Sequence, residues 1–215
     1  MEVYQTEEQQ VDAIKSYWKD NGNYIIAGLV IGLAGYVGFN FYKDDQLAQE
    51  VARSDAYQVV VEQSGKDAAE YTKAANAFIA GNAQTSYASL TALSLAKEAA
   101  SHKDWPQTAK YLTTAIESAP NDGIKGIATI RLARVQIQLA EFDNALTTLT
   151  AKLPESFTAS VEETKGDAYL KQGKSELART AYQAALSVEG STSNPALQMK
   201  LDDLAQAINL TGDEK

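Results

Sequence analysis

One stretch limits what this chain can become more than any other: YIIAGLVIGLAGYVGFNFY, Tyr24 to Tyr42, with no Asp, Glu, Lys or Arg between Asp20 and Lys43. As a helix the uncharged stretch is roughly 30 Å long, about the thickness of a bilayer's hydrocarbon core. It predicts a single transmembrane helix over residues 24–42. Tyr24 at one end and Tyr36, Phe39, Phe41 and Tyr42 towards the other suit the interfacial zones, where an aromatic ring buries its face and keeps its polar edge wet. The alternative, a buried core helix, is usually shorter and interrupted by polar residues.

What flanks the run bears on anchoring and direction. Residues 1–23 are expected to form an amphipathic segment, with Val11, Ile14 and Trp18 on one face and Glu7, Glu8, Asp12 and Lys15 around the rest. Asn21-Gly22, which tolerate left-handed backbone, predict a stop before the span. The flank is long and acidic, unlike the basic start of a cleavable signal, so an uncleaved anchor is expected. Lys15 and Lys19 before the run, against Lys43 and Arg53 after it, lean slightly towards a cytoplasmic N-terminus. Charge alone leaves the orientation open.

Inside the span, Gly28 and Gly32 form a GxxxG pattern, with Gly35 close to the same face. Small residues let helix backbones approach closely in lipid, so Gly28, Gly32 and Gly35 are a candidate helix-packing face, and a homodimer through them is one outcome. The other reading is that glycine is simply frequent in membrane helices.

Composition narrows the function classes. A net charge of −9, with no Lys/Arg cluster, argues against nucleic acid, which needs a concentrated basic surface. No cysteine is present, and the one histidine, His102, cannot supply a multi-histidine metal site. The 28 carboxylates are scattered as on solvated helix faces, with no HExxH, DxDxDG or Gly-rich phosphate loop. No enzyme activity, catalytic residue, metal or cofactor is expected.

Beyond the span the pattern is helical throughout. Leu47, Val51 and Ala52, then Ala56, Val59 and Val60, recur at three- and four-residue spacing and predict a membrane-proximal helix within residues 43–65, ended by Gly65. No Gly/Ser-rich linker follows the span, so the domain is expected to stay near the membrane surface. Residues 66–210 are expected to form one helical domain, opening with a helix over Asp67 to Ala80. It closes with a capping helix over Pro195 to Leu210 with Leu197, Leu201, Leu204 and Ile208 inward, and 211–215 is a frayed tail.

Within this domain an internal repeat emerges when Ala96, Ala133 and Gly166 are aligned. The clearest copy, GDAYLKQGKSELARTAYQAAL, places Gly166, Tyr169, Gly173, Ala178, Tyr182 and Ala185 at the positions of a tetratricopeptide repeat. LARVQIQLAEFDNALTTL aligns Leu132, Ala133, Ala140, Phe142, Ala145 and Leu149 with them; LAKEAASHKDWPQTAKYLTTAIESAP aligns Leu95, Ala96, Trp105, Thr108, Leu112, Ala115 and Pro120. A helical pair this small cannot bury its own apolar face, so stacking makes the core. The expected architecture is all-α: one N-terminal transmembrane helix, then a TPR-like α-solenoid of stacked helical hairpins.

In such a stack the first helix of each pair lines the concave surface. The alignment gives a candidate protein-binding groove of Leu90, Leu93 and Lys97, then Ile127, Ile130, Arg134 and Ile137, then Glu163, Asp167, Leu170 and Lys171. Apolar members on a solvated groove are costly. They point either to a partner surface with an apolar floor or to core covered by a neighbouring helix.

Taken together, the opening MEVYQTEEQQVDAIKSYWKDNG, the span GLVIGLAGYVG and the segment RLARVQIQLAEFDNAL resemble the YfgM family, the ancillary subunits of the bacterial SecYEG translocon, over essentially the whole chain. The resemblance implies a single-pass inner-membrane protein with a cytoplasmic N-terminus and a periplasmic TPR-like domain. Its implied partners are SecYEG, the membrane-anchored folding factor PpiD, secreted protein clients and the lipid bilayer. The implied role is to pass emerging secreted chains to periplasmic chaperones without ATP or catalysis. A rival reading is a structural or regulatory anchor that self-associates through its span and binds one folded signalling partner.

Overall fold

The computed structural model describes residues 7–188 and 194–212, with side chains in the last helix described to residue 204. It divides into two compact units, Met1–Ala52 and Arg53–Lys215. In the first unit the described residues belong to one helix, α1, Glu7–Gln63, whose last turns fall in the second unit. Gly28, Gly32, Gly35 and Gly38 have nothing near where a side chain would stand. The run's large apolar side chains are uncovered, Ile31 at 72 % and Phe41 at 78 %, as suits a helix long and apolar enough to cross a membrane.

The helix passes straight through Asn21-Gly22, where the sequence predicts a stop. Both residues adopt helical geometry, because tolerance of a left-handed backbone is not a requirement for it. The Asn21 side-chain amide donates to the Tyr17 carbonyl at 3.2 Å, and Gly22 lies buried under the Trp18 ring. The expected membrane-proximal helix is likewise the continuation of α1 to Gln63, and Gly65 turns the chain at φ 86°.

The second unit holds α2 (Ala68–Gly81), α3 (Ser86–Ser101), α4 (Trp105–Ser118), α5 (Asp122–Gln138), α6 (Phe142–Thr148), a 3-10 turn (Glu155–Phe157), α7 (Thr158–Lys171), α8 (Ser175–Ser187) and α9 (Pro195–Gly212). No strand occurs among the described residues. Local chemistry sets the starts. Asp67 accepts from the Ala69 and Glu70 amides, and Thr85, Asp104 and Asn121 cap α3, α4 and α5. Each such cap is worth about 1 kcal/mol. α9 takes in Thr211 and Gly212, two residues assigned above to the frayed tail; Ile208's side chain and residues 213–215 lie outside the described set.

Pairs α3/α4, α5/α6 and α7/α8 are the three repeats, and their turns are built alike. Lys103, Ala140 and Gly173 each adopt left-handed φ, at 58°, 60° and 75°. Their amides reach the carbonyls of Ala100, Ile137 and Leu170, and the next amides reach back to Ala99, Gln136 and Tyr169 at 2.8 to 3.0 Å. These turns satisfy the carbonyls left open at a helix end. From 103 to 140 is 37 residues and from 140 to 173 is 33, the offsets of the aligned small residues, so the sequence repeat is a backbone repeat.

Each pair closes on a small residue facing a large one. Gly166 lies against the Tyr182 ring, which would occupy any Cβ placed there. Ala133 and Leu149 are 0 % and 3 % exposed in the second repeat, and Ala96 and Leu112 3 % and 2 % in the first. The last turns of α1 join the core: Val60 is buried with Tyr71, Phe78 and Leu95, and the Tyr57 ring centroid lies 5.1 Å from that of Tyr87. Between repeats, Gly126 of α5 faces Phe157, whose ring would stand 2.6 Å from a Cβ.

Candidate functional site

α3, α4 and α5 enclose a cleft of about 670 Å³ between the first and second repeats. Leu112 of α4 and Val135 of α5 make its apolar floor, at 2 % and 8 % exposure. Leu90 and Leu93 of α3 and Ile127 of α5 form its walls, with Leu90 at 39 % and Ile127 at 41 % exposure. Lys97 of α3 and Arg131 and Arg134 of α5 complete the lining, all three exposed, and no carboxylate is present.

Of the groove residues expected from the alignment, Leu90, Leu93, Lys97, Ile127 and Arg134 come together here. Arg134 also borders a smaller hollow of about 240 Å³ with Ile137, Asp167, Leu170 and Lys171, which continues the surface towards the third repeat. Ile130 is placed otherwise. It is 5 % exposed and packs in the core with Ala133, Ala145 and Leu149, and Ile137, at 8 %, belongs mainly to that core. The helix period explains this. Measured from Ile127, Arg131 and Arg134 lie within about 40° of it around α5, whereas Ile130 and Ile137 are turned about 60° and 80° towards the core.

Glu163 and Asp167, on the equivalent helix of the third repeat, are engaged by the chain itself. Lys200 of α9 donates to Glu163 Oε1 at 2.8 Å and to both oxygens of Asp167 at 2.8 and 3.0 Å. The buried Tyr182 hydroxyl donates to Asp167 at 2.7 Å, and the Lys200 ammonium lies 5.6 Å from the Tyr182 ring centroid. Burial pulls the Lys200 pKa down, but hydrogen bonds and charge from Asp167 and Glu163 outweigh it and leave the pKa above 10.5. Burial first, then the bond to Asp167, raises the Tyr182 pKa. Lys200 therefore stays an ammonium and Tyr182 a neutral phenol across the neutral range. Alignment alone missed Lys200, because nothing near it in sequence marks its partners, and Arg131, although its spacing from Ile127 places it on the same face.

A family model described as a tetratricopeptide repeat-like domain matches residues 15–206. Relatives named ancillary SecYEG translocon subunit occur in Aggregatibacter actinomycetemcomitans, 32% identical over 92% of this chain and 97% of theirs. Others of that name are found in Escherichia coli K12, 31% identical over 95% and 100%, and in Haemophilus influenzae, 30% identical over 92% and 97%. With repeats, turns and an uncovered apolar helix alike in place, the chain belongs to the TPR-like family of ancillary SecYEG translocon subunits, the YfgM family.

Proposed function

We propose that this chain is a single-pass inner-membrane protein that associates with the SecYEG translocon, as the name of its relatives says of them. Its N-terminus lies in the cytoplasm and its TPR-like domain in the periplasm. The domain receives secreted chains as they emerge and, beside a PpiD-like membrane-anchored folding factor, passes them to periplasmic chaperones. It acts by binding, without catalysis. The observation that carries this reading is the cleft: Leu90 and Ile127 leave apolar wall exposed on a domain that follows an uncovered apolar helix. Apolar side chains left at a groove are suited to transient capture of an unfolded segment.

Site-specific photocrosslinking tests it. Probes at Leu90 or Ile127 are expected to give adducts with nascent secreted chains or their handling factors; consistent absence of such adducts overturns the reading. Protease added outside spheroplasts is expected to digest the C-terminal domain, and its protection would reverse the orientation.

A second reading draws on the bare glycine face, where Gly28, Gly32 and Gly35 have no side-chain neighbours. In it the span self-associates and the domain serves as an anchor for one folded partner. Homodimer adducts at Gly28, with none to clients at Ile127, would favour it.

A further inference from the structure

The cleft between the first and second repeats inverts the charge of the chain around it. The protein carries 28 acidic residues against 19 basic ones, yet this cleft presents Lys97, Arg131 and Arg134 and no acid. None of these three side chains takes part in an ion pair or hydrogen bond among the described residues, in contrast to Lys200, which has both. Three uncompensated cations beside apolar walls repel one another and gain nothing from the fold. A ligand with negative charge would relieve them.

Placement makes the cleft polar along its length. Leu90 and Lys97 are seven residues apart on α3, and Ile127 and Arg134 seven apart on α5, so each wall carries an apolar residue and, two turns on, a cation. From 90 to 127 and from 97 to 134 is 37 residues in both cases, the offset of the repeat. Through the antiparallel α4 between them, α3 and α5 run the same way, so apolar faces apolar at one end and cation faces cation at the other. Two helical turns separate the ends by about 10 Å. That is the span of about three residues of extended chain, and the volume of the cleft is that of a pocket taking a few side chains.

We propose that this cleft selects polypeptide segments carrying a bulky apolar side chain and, about three residues away, the carboxylate of an internal Asp or Glu. The apolar side chain sits between Leu90 and Ile127 over Leu112, and the carboxylate accepts hydrogen bonds from Lys97, Arg131 and Arg134. The inference rests on the groove reading above and adds to it a rule for which segments are held. Guanidinium groups are suited to this, since they present paired N–H donors to a carboxylate.

Full-length protein in nanodiscs of neutral lipid provides the test, with empty nanodiscs as the control. Fluorescent, C-terminally amidated peptides of the form Leu-Ser-Ser-Glu within a Gly/Ser frame are compared by anisotropy with otherwise identical peptides ending the motif in Gln or Lys. The Glu peptide is expected to bind at least about tenfold more tightly than the Gln peptide, with affinity falling as salt is raised. Arg131→Glu and Lys97→Glu are each expected to cost the Glu peptide about tenfold and the Gln peptide little. Both side chains are exposed and unpaired, so the fold is kept, which circular dichroism verifies. Equal binding of all three peptides overturns the charge rule and leaves the groove reading standing. No binding by any peptide, together with absent client crosslinks at Ile127, overturns both. Binding that appears only when the same peptides carry a free instead of an amidated C-terminus reassigns the site and overturns the proposal, as does a dimer in solution that Arg131→Glu dissolves.

Discussion

The first and third repeats share one backbone plan and treat their concave faces in opposite ways. In the third, Glu163 and Asp167 meet Lys200 of α9, and the buried Tyr182 hydroxyl completes the set. In the first, Lys97 has no ion pair or hydrogen bond from the described residues and Leu90 stays 39 % exposed, and the equivalent positions of the second, Ile127 and Arg134, line the same cleft. A face matched by its own chain contributes to stability; a face left unmatched is available for a ligand. On the proposed function, the C-terminal repeat holds the domain together and the N-terminal pair binds.

The strongest way to break this contrast is to disturb the closure of the third repeat. Gly166→Ala puts a methyl group into the Tyr182 ring, and Tyr182 is 0 % exposed and tied to Asp167, so neither can yield easily. Overpacking at such a site costs about 3 kcal/mol. Thermal unfolding followed by circular dichroism is expected to show the loss, with client crosslinking at Ile127 kept at temperatures where the domain is folded. A Gly166→Ala protein as stable as the parent would mean that α7 and α8 do not close as described.

Lys200→Met tests the match itself. The ion pairs are partly exposed, with 21 % and 30 % of the Glu163 and Asp167 side chains accessible, so their loss is set between surface and buried limits at about 1–2 kcal/mol. The expected readout is faster hydrogen exchange in α9 and α7, with α3 and α5 unchanged. Sign follows from the pKa. The Lys200 value is raised in the fold, so its contribution is complete below the ordinary lysine value of 10.5 and is lost only as pH rises through the higher folded value. Hydrogen exchange in α9 should therefore show no loss of protection from this lysine between neutral pH and 10; a loss in that window would contradict the pairing.

A smaller gain is expected at the repeat turns. Lys103 and Ala140 carry a Cβ at left-handed φ where the third repeat has Gly173. Lys103→Gly and Ala140→Gly remove that strain, and after the entropy cost of glycine each should add about 0.5 kcal/mol. Denaturant unfolding checks it: a loss of stability at both positions would mean that the turns are not strained.

The three repeats, their register and the apolar span were legible because each rests on local periodicity or on residue types with one steric use, such as Gly166 beneath Tyr182. The stop at Asn21-Gly22 was misread because permissive residues also fit a helix whose hydrogen bonds propagate through them. Ile130 was misplaced for a similar reason, and Ile137 divides between the core and the hollow beside Arg134. An apolar stripe at three- and four-residue spacing is wide enough to reach both core and groove, and only packing decides where one ends. Lys200 was out of reach of sequence: its partners lie 37 and 33 residues away, and a lone lysine on a helix has no local mark of a partner.

One pair of substitutions bears most directly on which face binds. Leu90→Gln with Ile127→Gln changes two side chains that are 39 % and 41 % exposed and lie outside the fully buried core. Folding stability should fall by about 1 kcal/mol for each substitution, since most of each side chain is covered. Capture of an unfolded segment, in contrast, depends on the apolar area those side chains offer, at about 25 cal/mol per Å² removed from water. Photocrosslinks from a probe at Leu93, in the same cleft, should then fall several-fold at temperatures where the melting curve shows the domain folded. Placed in the third repeat, Leu170→Gln at 41 % exposure is the matched control and should leave those crosslinks intact. If Leu170→Gln abolishes them and the paired change does not, the binding face lies at the α9 end and the comparison between repeats is reversed.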